Sequence, residues 1–221
     1  MSRKFKILEI WHIVLNTFFN YLYHSLAWAY DWVAWIVSFG KWRSWTETIL
    51  PLLGGKNILE IGHGPGHLLC KLQSLGYSSI GIDESWQMVK KAHQKMLSKG
   101  LQPMLVRGLA QSLPFKNDFF DCIISTFPTS YALDPQTIFE IYRVLQVHGI
   151  WVVLLGIKVT AKSIPYKMLA FLYRITGESI TGTLSEEKFL RPFKDSFPGK
   201  VEYKWIQTGN ISLFYIICSK V

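Results

Sequence analysis

The sequence predicts an α/β fold, and three observations lead to that prediction. First, a strand pattern over residues 57–61 leads directly into a glycine-rich loop, residues 62–66, and a helix pattern begins at Leu68. Second, another strand pattern, over residues 78–82, follows that helix and completes the order of a βαβ unit. Third, the chain ends in two consecutive strand patterns joined by a short polar turn, which is typical of a β-hairpin. We therefore expect parallel strands with helices on both faces and an antiparallel pair at the C-terminal end.

The glycine-rich loop carries the first functional signal. Its glycines alternate, as Gly62, Gly64 and Gly66, and Glu60 precedes them near the end of the strand. Glycine lets a ligand approach the backbone closely, and the helix that follows directs its free N–H groups at the same place. The spacing G-x-G-x-G differs from the G-x-G-x-x-G of dinucleotide-binding folds. A tight turn without a ligand, in another kind of α/β protein, is the alternative reading of this loop.

An acidic residue follows the second strand, where open α/β sheets bind nucleotide-like ligands. Asp83 lies about twenty residues beyond the loop, and a carboxylate there can accept hydrogen bonds from both ribose hydroxyls. The remaining elements are predicted from hydrophobic periodicity and turn residues. They are a helix at 85–99, strands at 104–107 and 121–125, a helix at 135–146, a strand at 150–155, and hairpin strands at 200–206 and 211–218.

Three further motifs complete an ordered set. They read Gly-Leu-Ala-Gln-Ser-Leu-Pro-Phe at 108–115, Asp-Phe-Phe-Asp-Cys-Ile-Ile-Ser at 118–125 and Arg-Val-Leu-Gln-Val-His-Gly at 143–149. In this order the motifs resemble those of the class I S-adenosylmethionine-dependent methyltransferases, in their small-molecule, methyltransferase type 11-like branch. The resemblance covers roughly residues 50–155. The family's proline-glycine is Val147-His148-Gly149 here, so the turn is expected at Gly149.

The resemblance implies a fold, a cofactor and a set of site residues. The expected fold is a Rossmann-like seven-stranded sheet, with S-adenosyl-L-methionine across the C-terminal ends of its strands. S-adenosyl-L-homocysteine is the expected product, and no metal is expected. Leu109 stands where the family usually has an aspartate, so the adenine is expected to rest on Leu109 and to be read by the backbone of Ala110. The residues expected at the cofactor are Glu60, Gly62, His63, Gly64, Gly66, Asp83, Glu84, Met88, Leu109, Ala110, Gln111 and Ser125.

The segment at residues 126–131 faces the transferred methyl group in the family. It lacks the Asn-Pro-Pro-Tyr or Asp-Pro-Pro-Tyr run of enzymes that methylate the amino groups of nucleic-acid bases, which argues against a nucleic-acid substrate. Tyr131 can offer a hydrogen bond there, and by resemblance Tyr30 lies on a helix that closes over the active site. These two tyrosines are the predicted catalytic residues. A neutral amine acceptor needs no base, whereas a phenol or carbon acid does, and His24 and His63 are then further candidates.

The composition indicates an anionic partner. The net charge is +9, and nine Trp, ten Tyr and fourteen Phe accompany the basic residues. Aromatic rings mixed with Lys and Arg favour the headgroup region of a membrane, although the rings can equally fill the core and a substrate pocket. Cys70, Cys122 and Cys218 are far apart in apolar contexts, which predicts buried thiols in a reducing cytoplasm.

The N-terminal part of the chain is expected to form aromatic-rich helices over residues 1–48, as a lid or a membrane contact. Residues 10–30 carry no charge and have about the length of a membrane span, but a polar stripe (His12, Asn16, Asn20 and His24) argues against a transmembrane helix and a signal peptide. Residues 49–221 are the predicted methyltransferase domain. Within them, residues 158–199 are a predicted cap segment with a basic amphipathic helix near 163–175.

The leading hypothesis is a methyltransferase that acts on a hydrophobic small molecule or lipid, in the cytoplasm and at the inner face of the membrane. One alternative is a soluble small-metabolite methyltransferase with an aromatic lid. Another is a non-catalytic subunit that binds S-adenosyl-L-methionine. The sequence predicts neither the acceptor atom nor the oligomeric state.

Overall fold

The computed structural model describes Trp35, residues 38–160 and residues 183–221. Within these residues, seven strands form one sheet in the order β3-β2-β1-β4-β5-β7-β6. The strands are β1 Asn57–Ile61, β2 Ser78–Asp83, β3 Leu105–Arg107, β4 Phe120–Thr126, β5 Leu145–Val159, β6 Lys200–Thr208 and β7 Ile211–Ser219. The helices, numbered among the described residues, are α1 Trp42–Glu47, α2 His67–Ser74, α3 Trp86–Ser98, α4 Pro135–Val144 and α5 Thr183–Ser196.

The pairing confirms the predicted Rossmann-like sheet. Strands β1 to β5 are paired in parallel, and β7 runs antiparallel to both β5 and β6. The C-terminal hairpin is therefore inserted with β7 next to β5 and β6 at the edge. The chain order reverses between β1 and β4, which places a crevice at the carboxyl ends of these two strands.

Both faces of the sheet are covered, as the apolar central strands require. In β4, Ile123 faces one core with α4 and α5, whereas its neighbours Cys122 and Ile124 face a second core with α1 and α2. Trp45 of α1 is completely packed into the second core, so α1 is fixed to the sheet. The three cysteines are free thiols and buried, and burial raises the pKa of Cys122 to about 12.

The predicted boundaries of helix α4 and strand β5 were wrong. Helix α4 ends at Val144, two residues earlier than expected, and β5 runs over Leu145–Val159 instead of residues 150–155. The pairing of β4 with β5 is irregular there, and the residue with positive φ is His148, at 63°, and not Gly149. Gly149 is needed for a different reason, because a Cβ at this position would lie 2.8 Å from the Gln146 carbonyl oxygen.

Several predictions fall outside the described residues. These are the helices of residues 1–34, the polar stripe with His24, the Tyr30 lid and the basic helix near 163–175. Part of the predicted cap segment, Thr183–Ser196, is helix α5. Its Leu190 and Phe193 are buried against the sheet, and the Phe193 ring packs against Trp151.

Candidate active site

A cavity of about 370 Å³ lies at the carboxyl ends of β1, β2 and β4. Four segments line it: the glycine-rich loop, the residues after β2, the loop at 108–111 and the segment at 126–131. All four were predicted to meet at this edge of the sheet. The volume is within the range of small-molecule sites in proteins.

The glycine-rich loop divides its roles between its glycines. All three, Gly62, Gly64 and Gly66, have positive φ. A Cβ on Gly66 would lie 2.7 Å from the Cβ of Ala92, so this glycine permits close packing of α3 against the loop. A Cβ on Gly64 would meet nothing within 4 Å, and Gly64 lines the cavity. The space above Gly64 is therefore where a ligand can approach the backbone.

Asp83 fastens the loop to the end of β2. Its Oδ2 accepts a hydrogen bond from the Gly64 N–H at 2.9 Å, and its Oδ1 accepts one from the Ser85 N–H at 2.9 Å. The side chain is buried but lines the cavity. Each carboxylate oxygen has two lone pairs, so Asp83 can hold the loop and still accept hydrogen bonds from ligand hydroxyls.

Glu60, near the end of β1, is a buried carboxyl group with one oxygen that lacks a hydrogen-bond partner among the described residues. It is 2% exposed and lines the cavity, and that oxygen is Oε2. Burial raises the pKa of Glu60 well above its ordinary value, and the nearby Asp83 raises it further, while the Leu69 N–H partly offsets both. A cationic group in the cavity would favour the ionised carboxylate.

These features fit S-adenosyl-L-methionine. The cofactor carries an ammonium and a sulfonium, which complement Glu60 and Asp83, and a ribose whose hydroxyls suit the free lone pairs of Asp83. The partnerless oxygen of Glu60 and the open space above Gly64 are the two observations that support the fit.

His63 lies within the glycine-rich loop, is buried and lines the cavity. Its Nδ1 lies 2.7 Å from the Gly64 carbonyl oxygen, which assigns the proton to Nδ1, and its Nε2 is buried without a partner in the described part of the chain. Burial lowers the pKa of His63, although the nearby Asp83 opposes this. Gly81 makes room for the ring, because a Cβ there would lie 2.8 Å from the His63 Cδ2.

The loop expected to hold the adenine is fixed from behind by α4. The Leu113 N–H donates to the Oε2 of Glu140 at 2.8 Å, and Arg143 donates to both Glu140 oxygens and to the Leu113 and Phe115 carbonyls. Leu109 is 52% exposed at the cavity, whereas Ala110 beside it is buried. An apolar surface therefore replaces the family's aspartate, as the sequence indicated.

The segment after β4 supplies the remaining wall. Phe127 has φ 48° and packs against Trp42 of α1 with ring centroids 4.4 Å apart. The Tyr131 hydroxyl donates to the Ile61 carbonyl at 2.9 Å and touches the backbone at Gly62, where an added Cβ would be 2.7 Å away. Tyr131 thus holds the segment at residues 126–131 against the glycine-rich loop, and its hydroxyl already donates a hydrogen bond. A catalytic role for Tyr131 remains a prediction.

The structure brings most of the predicted site residues together. Those at the cavity are Glu60, Gly62, His63, Gly64, Asp83, Glu84, Leu109, Ala110, Gln111 and Tyr131. Gly66, Met88 and Ser125 lie behind the cavity wall: Met88 is fully buried on α3, and the Ser125 hydroxyl accepts a hydrogen bond from Trp151 Nε1 at 3.2 Å. Four further residues line the cavity that were not predicted as site residues from the sequence: Trp42, Thr46, His67 and Asp134.

Two negative findings apply to the described residues alone. No group of three or more His, Cys, Asp and Glu side chains there could hold a metal ion. No helix in residues 38–160 or 183–221 is both long enough and apolar enough to cross a membrane.

Comparisons with known proteins give a consistent family. The sequence profile described as the ubiE/COQ5 methyltransferase family matches residues 14–209. A relative in Pectobacterium carotovorum, named ubiquinone/menaquinone biosynthesis C-methyltransferase, is 28% identical over 181 residues, covering 76% of this chain and 72% of the relative. A demethylmenaquinone methyltransferase of Oceanobacillus iheyensis is 27% identical over 196 residues, covering 84% and 82%.

A solved structure from Methanococcus maripaludis, described as a candidate S-adenosyl-L-methionine-dependent methyltransferase, has the same fold. Its TM-score is 0.66 at 20% identity, with 88% of this chain and 92% of that chain covered. Because the family profile spans most of the chain and its site residues meet at one cavity, the chain belongs to the ubiE/COQ5 methyltransferase family and is an S-adenosylmethionine-dependent methyltransferase.

Proposed function

We propose that this enzyme methylates a ring carbon of a hydrophobic, quinone-type acceptor in its reduced, quinol form. The printed names of the relatives support this choice, since they describe a C-methyltransferase of ubiquinone and menaquinone biosynthesis and a demethylmenaquinone methyltransferase. The observation that carries the proposal is the make-up of the cavity, which has buried carboxyl groups near the glycine-rich loop and aromatic rings at Trp42 and Phe127.

The cofactor end of the proposed site consists of Glu60, Gly64, Asp83 and Ala110. Glu60 and Asp83 would hold positive charge and ribose hydroxyls, and the backbone at Gly64 and Ala110 would border the ligand. When bound, S-adenosyl-L-methionine supplies an electrophilic methyl group on its sulfonium. The protein then has to hold the acceptor carbon close to that group and in line with it, which is worth about 7–11 kcal/mol for well-oriented reactants.

Carbon methylation also requires the acceptor to lose a proton. The ring carbon forms its bond to the methyl group while the sulfur–methyl bond breaks, and the ring C–H bond then breaks, so that one proton leaves for each methyl group transferred. The quinol hydroxyl, which gives up its proton to activate the ring carbon, takes one back when the ring becomes aromatic again. Neither His63 nor Tyr131 is well placed to accept a proton from the acceptor. The His63 Nε2 is buried, and the Tyr131 hydroxyl already carries the proton that it shares in a hydrogen bond with the Ile61 carbonyl. Tyr30 and His24 lie outside the described residues and keep their predicted role as candidate bases.

A membrane contact belongs to the same proposal. The net charge of +9 and the aromatic residues before α1 favour peripheral binding to an anionic surface, with the enzyme in the cytoplasm at the inner face of the membrane. The competing interpretation is a soluble enzyme whose aromatic N-terminal segment covers a small metabolite. Sedimentation of the full chain with anionic vesicles, and its absence with neutral vesicles, would separate the two.

The experiment that tests the function is an assay with defined acceptors. Purified enzyme would be incubated with S-adenosyl-L-methionine and a reduced demethylated naphthoquinol or benzoquinol in detergent, and the products analysed by mass spectrometry. We expect a product heavier by one methylene unit, bonded to carbon, with one S-adenosyl-L-homocysteine formed per product. The Asp83→Ala variant should give neither product. Methylation on oxygen, or methylation of polar amines in preference to both quinols, would contradict the proposal.

A further inference from the structure

Trp42 and Phe127 form an aromatic pair at the wall of the cavity. Their ring centroids are 4.4 Å apart with 33° between the ring planes, and both residues line the cavity while remaining only partly buried. They come from distant parts of the chain, one from α1 before the sheet and one from the end of β4. Their exposed ring surfaces are therefore available to a ligand beside the segment at residues 126–131.

The backbone at Phe127 is strained, and the strain lies at the site. Phe127 has φ 48°, in the left-handed region that bulky side chains rarely adopt. The conformation is held by a hydrogen bond from the Phe127 N–H to the Leu154 carbonyl at 2.7 Å, and Pro128 follows directly. Strained backbone of this kind is retained mainly where it positions a functional side chain.

The backbone at Trp42 is also fixed, by contacts of helix α1. The Trp42 backbone N–H donates to the Ser38 hydroxyl at 2.9 Å, and Trp45 and Thr46 of the same short helix are buried. Both rings therefore extend from backbone segments that are anchored independently of each other. A preformed aromatic surface costs little ordering entropy on binding.

On this basis, and resting on the proposed function, we infer that the Trp42–Phe127 pair binds the planar ring of the acceptor through aromatic contacts. Aromatic rings gain from offset stacking or edge contacts in addition to the apolar area that they bury. The pair lies in the same cavity as Glu60 and Asp83 but belongs to different segments, so it can serve the acceptor without forming the cofactor site.

The test compares ring-removing with ring-keeping substitutions. The ring-removing variants are Phe127→Leu and Trp42→Leu, and the ring-keeping variants are Phe127→Tyr and Trp42→Phe. The control is Phe139→Leu, an aromatic residue that is 56% exposed on α4 and does not line the cavity. Two probes are used: 1,4-naphthoquinol as acceptor in turnover, and 1,4-naphthoquinone binding by equilibrium dialysis to enzyme saturated with S-adenosyl-L-homocysteine.

We expect each ring-removing variant to raise the KM for the naphthoquinol and the Kd for the naphthoquinone by about 10-fold. The kcat should change by less than about threefold, and the Kd for S-adenosyl-L-homocysteine by less than about twofold. The ring-keeping variants should raise both quantities less than the ring-removing ones, and Phe139→Leu should stay close to wild type. The same KM and Kd in Phe127→Leu as in wild type would overturn the inference while leaving the proposed function intact. Binding of the quinone ring without methylation of any quinol would overturn the proposed function and leave the binding surface standing.

Discussion

Two buried glutamates, Glu140 and Glu60, differ in their hydrogen-bond partners and in the direction in which the structure shifts their pKa. Glu140, on α4, is 8% exposed, and its oxygens accept hydrogen bonds from Arg143 and from the Leu113 N–H. Glu60, at the end of β1, is 2% exposed, and its Oε2 lacks a partner among the described residues. The Arg143 hydrogen bonds lower the pKa of Glu140, whereas burial raises the pKa of Glu60 well above its ordinary value.

The difference separates a structural charge from a functional one. The charge of Glu140 is complete within the protein, and it fixes the loop at 108–115 to α4. Glu60 has no cation like Arg143 beside it among the described residues, and a positively charged group in the cavity would supply the missing interaction. A buried polar group without a partner destabilises the folded state, so its presence at a cavity indicates a ligand that supplies the missing interaction.

The largest effect is expected at Glu60. Glu60→Gln keeps the size of the side chain but removes the charge, so the affinity for S-adenosyl-L-methionine should fall by about 2–4 kcal/mol, or roughly 30- to 1000-fold. The unliganded variant should be as stable as wild type at neutral pH or more stable, because no buried carboxylate has to form. Calorimetric titration and thermal melts measure the two quantities. Wild-type affinity in the variant would show that Glu60 does not bind the positively charged cofactor.

A smaller and opposite effect is expected at Glu140. Glu140→Gln leaves the Arg143 guanidinium without its anionic partner, so the free energy of unfolding should fall by about 2–3 kcal/mol. Cofactor affinity should change only a few-fold, because Glu140 holds the loop from behind and does not line the cavity. Denaturant melts give the stability. An unchanged melting curve would mean that α4 does not fix the loop in this way.

The smallest effect concerns the pH dependence of stability, and the two residues should act in opposite directions. The folded-state pKa of Glu140 is lowered, so its contribution is present above the ordinary value of 4.5 and is lost as the pH falls through the lowered value. The folded-state pKa of Glu60 is raised, so its contribution is present below 4.5 and is lost as the pH rises towards the raised value.

Each group can contribute at most about 1.4 kcal/mol per pH unit to the slope. Subtracting the stability of each glutamine variant from that of the unliganded wild type, from about pH 3 to pH 8, isolates the two terms. We expect the difference for Glu140→Gln to grow with pH up to about the ordinary value of 4.5 and then to level off, and the difference for Glu60→Gln to shrink as the pH rises above 4.5. Slopes of the same sign would show that the two carboxyl groups do not differ as described.

Local sequence pattern was enough to predict the individual strands and the glycine-rich loop. The strand, glycines and helix at 57–70 are adjacent in sequence, and the acid at Asp83 follows in the next strand, so their chemistry is visible without tertiary structure. The C-terminal hairpin was equally local, because a polar turn separates two strand patterns. The assembly of the strands into one seven-stranded sheet was implied by the family resemblance, and the strand order was not predicted, since non-local pairing is not encoded in periodicity.

The Trp42–Phe127 pair could not be predicted in the same way. Trp42 was one of many aromatic residues before the first strand, and nothing local distinguished it from Trp45, which is fully buried in the core. The partner of Trp42, Phe127, lies far along the chain. Gly66 shows the converse: its spacing suggested a ligand, but its neighbour is Ala92 of α3. Contacts of this kind become visible only once the helices are placed on the sheet.

Proton release on cofactor binding tests the role of Glu60 most directly. Titration of S-adenosyl-L-methionine into the wild type and Glu60→Gln, near pH 6 in buffers of different ionisation enthalpy, counts the protons released. This role of Glu60 predicts that the wild type releases more protons per bound cofactor than Glu60→Gln, because burial raises the pKa of Glu60 and the incoming positive charge favours its ionised form. Equal proton release by both proteins, with equal affinity, would contradict it.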